Sequence, residues 1–80
     1  MPNDPRHLDA TLAVLAREAI AKANVPVDRA EVEAEALLGV LRAEAADMQA
    51  AGIDAAEVRA TCEGWAHLRT GILATHYAEV

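Results

Sequence analysis

Two short breaks decide what this chain can become. Asn24-Val25-Pro26 and Gly52-Ile53-Asp54 interrupt a sequence of 80 residues that otherwise favours helix, leaving three stretches with helical periodicity. The spacing predicts helices over about 5–23, 29–51 and 55–78, with boundaries good to a few residues. The whole of 1–80 then forms one all-α domain, since a chain this short supports a single core. With short connections the natural arrangement is an up-down-up antiparallel three-helix bundle, with long second and third helices and open to completion by oligomerisation.

Local signals place the helix starts. Asp4 is the expected N-cap of the first helix, with Pro5 at the first helical position, where its missing N–H costs nothing. In the second helix Asp28 and Glu31 have capping-box spacing, and Val27 and Val32 have the spacing of a hydrophobic staple. Ile53, Asp54, Glu57 and Val58 repeat that arrangement, and Gly52 stands where a helix end calls for a left-handed residue. The repetition stops at the caps, so it reads as convergent capping rather than internal duplication.

Each helix carries an apolar stripe. In the first it is Leu8, Leu12, Leu15, Ala19, Ile20 and Ala23, with Asp9, Arg17, Glu18 and Lys22 on the remainder. The second has Ala30, Ala34, Leu37, Leu38, Leu41, Ala45 and Met48. The third has Val58, Cys62, Trp65, Leu68, Ile72 and Thr75, and this heavy stripe, centred on Trp65, is expected to be core.

Narrower stripes of small residues accompany the last two: Ala36, Gly39, Val40, Ala43, Ala46 and Ala50, then Ala60, Gly64, Gly71, Ala74 and Ala78. A glycine inside a helix costs roughly 0.8–1 kcal/mol against alanine, so three of them sacrifice about 2–3 kcal/mol of helix stability. Close approach of another backbone would offset that, either between helices two and three or across an interface.

Alanine supplies 20 of the 80 residues, phenylalanine is absent, and Trp65 and Tyr77 are the only aromatics, so little bulk is available per buried position. A core this thin would gain from a partner surface. The net charge of −6, with Arg6, Arg17, Lys22, Arg29, Arg42, Arg59 and Arg69 scattered, argues against nucleic acid and against anionic membranes. Opposite charges are expected to meet where the acidic start of helix two (Asp28, Glu31, Glu33, Glu35) lies beside the end of helix three (His67, Arg69, His76). The single Cys62 has no bridging partner, no secretory leader opens the chain, and no run is apolar enough to span a bilayer, which leads to the expectation of a soluble cytoplasmic protein.

Chemistry is not visible. Glu63 and His67 stand about 14 Å along the helix from His76 and Glu79, too far to share one ion, and there is no Glu-x-x-His pair for a di-iron site. His67 is about 140° round the helix from Cys62, the wrong side for a nucleophile–base pair. The glycines are isolated, so no phosphate loop exists, and His7 reads as solvated.

The expectation is therefore a non-enzymatic protein–protein interaction module without cofactor or metal: an accessory subunit, adaptor or inhibitor. Gly39, Ala43, Ala46, Gly64, Gly71 and Tyr77 are the expected interface residues. The alternative is a homo-oligomer carrying a metal or small ligand where Glu63, His67 and His76 of several copies converge.

Overall fold

The computed structural model describes residues 5–78, with side chains from residue 7 onward. The expected cap Asp4 and the carboxylate of Glu79 lie outside the described residues. Three helices follow one another, α1 (Pro5–Lys22), α2 (Val27–Ala50) and α3 (Ala55–Ala78), and each packs against both others. The long dimension of 42 Å against 18 and 15 Å fits three rods lying side by side, since 24 residues of helix span about 36 Å.

Cross-helix bonds fix the directions. Between α2 and α3 the Cys62 thiol reaches toward the Leu41 carbonyl at 3.8 Å, and further along Tyr77 donates to Glu33 at 2.6 Å. As α3 advances, its α2 partners retreat, so the two run antiparallel. The Thr70 hydroxyl reaches the Ala19 carbonyl at 3.2 Å, near the far end of α1, as parallel α1 and α3 require. Arg42 clamps Asp9 with both oxygens engaged, at 2.7 and 3.0 Å, which ties the start of α1 to the second half of α2. The bundle is up-down-up.

Both corners use a left-handed residue. Gly52, at φ 79°, ends α2 in a Schellman motif: its N–H donates to the Gln49 carbonyl, and the Ile53 N–H donates to that of Met48, each at 3.0 Å. Asn24, at φ 60°, does the same service for α1, its N–H donating to Ala21. Asparagine tolerates this conformation better than most side chains.

The start of α2 departs from expectation. The helix begins at Val27, and the Pro26 carbonyl already accepts from the N–H groups of Arg29 and Ala30. That puts Asp28 inside the first turn, where the Glu31 N–H belongs to the backbone ladder, so the capping box does not form; no side chain caps this end. The staple fails with it, because Val27 and Val32 are 95% and 62% exposed. Pro26, held near a helical φ by its ring, takes over the N-cap position.

The core consists of Leu12, Ala16, Ala19, Ile20 and Ala23 from α1, Leu37, Leu41 and Ala45 from α2, and Val58, Cys62, Ala66 and Leu73 from α3. The stripes expected for α1 and α2 are the ones that face inward. In α3 the inward face begins as expected at Val58 and Cys62 but continues through Ala66 and Leu73, while Trp65, Leu68 and Ile72 are exposed at 41%, 54% and 48%. The heavy stripe is not the core, for a reason of spacing. Cys62 and Thr70 approach backbone carbonyls of α2 and α1 with side chains only two heavy atoms long, and five of the twelve buried residues are alanine. Helices this close leave no room for an indole between them.

Neither do the glycines mediate internal packing. A Cβ placed on Gly39, Gly64 or Gly71 would meet nothing within 4 Å. Gly64→Ala and Gly71→Ala are therefore expected to raise the stability of the isolated chain, each by roughly 0.5–1 kcal/mol through helix propensity alone. Chemical denaturation of the two variants checks this; a loss of stability would return these glycines to the internal core.

Candidate functional site

Successive helix residues are about 100° apart, so position round each axis follows from the numbering. On α2, Val32, Ala36, Gly39, Val40, Ala43 and Ala46 fall within roughly 120° of arc, all of them exposed and none of them charged. On α3, Gly64, Trp65, Leu68, Gly71 and Ile72 do the same. The two strips adjoin across a shallow groove of about 240 Å³, lined by Ala36, Leu37, Val40, Trp65, Leu68, Arg69 and Ile72. Together they make one outer face, turned away from α1.

The charges of α3 are distributed against ordinary expectation. Arg59 and Arg69 flank the buried side, Glu63 and His67 turn toward α1, and from Ala60 to Thr75 the outward arc holds no charge. A solvated helix face normally carries charged side chains, whereas this one carries an indole and two branched aliphatics. By contrast Arg17, Glu18 and Lys22 are exposed on α1. The molecule has one charged back and one apolar front.

Of the residues expected at an interface, Gly39, Ala43 and Ala46 on α2 and Gly64 and Gly71 on α3 lie on this front. Tyr77 does not. It is half-buried at the α2–α3 seam, donating to Glu33, while the other Glu33 oxygen lies 3.6 Å from the Arg69 guanidinium. The expected meeting of the α2 start with the α3 end thus centres on Glu33. His76 packs edge-on to the Tyr77 ring, with centroids 4.8 Å apart, and His67 points elsewhere, toward Lys22 and Glu18. Trp65, Leu68, Ile72 and Val40, assigned inward or to a narrow stripe from sequence, are the bulk of the front. The signal that could have found them is the charge pattern: a second stripe, Val58-Cys62-Ala66-Leu73-Tyr77, is equally regular and lies between the arginines.

Other chemistry is sparse. Glu63 and His67 face the α1 side and His76 the α2 side, so the chain does not gather these three, and among the described residues no group of three or more His, Cys, Asp or Glu is placed to hold a metal. Burial, with a lesser contribution from the nearby Glu44 charge, pushes the Cys62 thiol above its ordinary value. A buried thiol held protonated at neutral pH is a poor nucleophile. Among the described residues no helix is long and apolar enough to cross a membrane.

Tyr77 reports on the seam. Its hydrogen bond to Glu33 raises its pKa above the ordinary 10, with burial and the carboxylate charge adding in the same direction. The bond requires the phenol proton, so it is present below the ordinary value and lost as pH rises through the raised one. The tyrosinate absorbance is expected to appear later in an alkaline titration than for a free tyrosine, and Glu33→Ala to bring it back down. An unshifted titration in the wild-type chain would show that the bond does not form in solution. The chain matches no protein-family model, no curated protein and no solved structure, so its surfaces are the ground for assigning a function.

Proposed function

We propose that this chain is a protein–protein interaction module that docks through the outer face of α2 and α3, serving as an accessory, adaptor or inhibitory subunit. The observation that carries this reading is the exposed, charge-free arc of α3, where Trp65, Leu68 and Ile72 stand in water although their helix has charges to spare elsewhere. Exposed apolar groups that adjoin one another across a groove mark interaction surfaces, whereas single exposed aliphatics do not. Tryptophan is moreover the residue most enriched among the anchors of interfaces.

The small residues gain a purpose on this reading. Gly39, Gly64 and Gly71 sacrifice helix stability without meeting anything inside the bundle, and their bare backbone lowers the front between the larger side chains. Trp65 and Leu68 then act as knobs, and the groove floor over Ala36 and Leu37 as a recess. The thin alanine core adds a second consideration, since area buried against a partner would supplement what the chain buries alone.

Capture from native extract with the wild-type chain, and with Leu68→Glu and Gly64→Leu as baits, tests the reading. Both positions are exposed, so circular dichroism is expected to stay at the wild-type helicity. Binding of the captured protein is expected to fall at least about thirtyfold for Leu68→Glu, the measure of an interface hot spot. Trp65 emission should move to shorter wavelength in the complex as the indole leaves water. Equal capture by wild type and Leu68→Glu would sink the proposal for this face.

A further inference from the structure

The outer face is bracketed by charge. On α2, Arg29 and Asp47 fall on nearly the same line as Val40 and Ala36, one before the uncharged strip and one after it, about 27 Å apart. The hairpin end of the face also holds the exposed Glu57. Asp28 shares the opposite end with Arg29, about 100° round from it and on the line of Ala46, and Glu33 is there engaged with Tyr77 and Arg69. Along the line of Ala36 and Val40 the front therefore runs from acidic Asp47 to basic Arg29.

We infer that the occupant of this face is a second copy of the chain, laid antiparallel across α2, so that Arg29 of each copy meets Asp47 of the other. This rests on reading the face as a docking surface and names its partner. A two-fold axis makes the contact self-complementary, as a symmetric dimer requires. The parallel alternative would set Arg29 against Arg29 and Asp47 against Asp47.

The register that pairs these charges is centred at residue 38, and three further features fall into place in it. Gly39 lies one residue from the axis, where the two helices come closest and where a side chain would hold them apart. Ala36 faces Val40 of the second copy, small against large, and the reverse holds by symmetry. Trp65 and Leu68 of each copy flank the α2–α2 contact, where they cover the groove edges. Glu18 and Glu63 lie at the α1 side, away from the outer arcs.

Sedimentation of the full chain across a range of concentrations tests the proposal. The expected result is a dimer for the wild type, weakened at least about tenfold by Arg29→Asp and by Asp47→Arg, because each substitution turns two attractive pairs into repulsive ones. The double variant Arg29→Asp/Asp47→Arg is expected to recover the dimer, and Gly39→Leu to abolish it while keeping full helix content. A dimer indifferent to both single reversals overturns the antiparallel seat. A wild type that stays monomeric up to about 1 mM overturns the second copy as occupant. The docking reading would then stand or fall separately, on whether Leu68→Glu loses a foreign protein in the capture experiment.

Discussion

The close approach of α3 to the other two helices is the constraint on which the rest of the molecule depends. Cys62 and Thr70 sit near enough to neighbouring backbones to reach carbonyl oxygens with short side chains, and Ala16, Ala19, Ala23, Ala45 and Ala66 make up five of the twelve buried residues. An alanine-lined seam draws helix axes toward the lower end of the usual 8–10 Å separation. Once that spacing is set, the Trp65 indole finds no room inside, and Trp65, Leu68 and Ile72 stand on the outside. Core and front are two results of one packing choice.

This explains which parts of the fold were legible in the sequence. Helix number, the Gly52 corner, and the inward stripes of α1 and α2 follow from periodicity and breakers, because in those helices the heaviest stripe is also the buried one. In α3 the two criteria diverge. Hydrophobic weight points to Trp65, Leu68 and Ile72, whereas burial selects Ala66 and Leu73, and only the spacing between helices decides between them. That spacing is a property of three faces at once, so it cannot be read from one helix. The start of α2 was obscured differently: Asp28 and Glu31 have capping spacing, but Pro26 ahead of them is already a competent helix start.

The candidate site was legible in part for the same reason. Gly39, Gly64 and Gly71 stand out as glycines that cost a helix stability, Ala43 and Ala46 as members of the same small-residue stripes, and all five lie on the front. Their large neighbours were missed because an apolar residue is by default assigned inward. Tyr77, also expected at the interface, instead finds its partner within the chain, because its phenol lies beside the Glu33 carboxylate. The fold and the front are linked through the Arg42–Asp9 clamp and the α2–α3 seam, which hold α1 as the backing of a two-helix plate.

An interior in which five of the twelve buried residues are alanine also shapes how the molecule responds to temperature. The heat-capacity change on unfolding grows with the apolar area that is newly hydrated, and each buried alanine exposes less of it than a larger apolar side chain. The stability curve of the isolated chain is accordingly expected to be flatter than that of a bundle with a heavier core. Covering the indole and the branched aliphatics of the front adds the curvature that the interior lacks, so the occupied protein would have a sharper thermal optimum than the bare bundle.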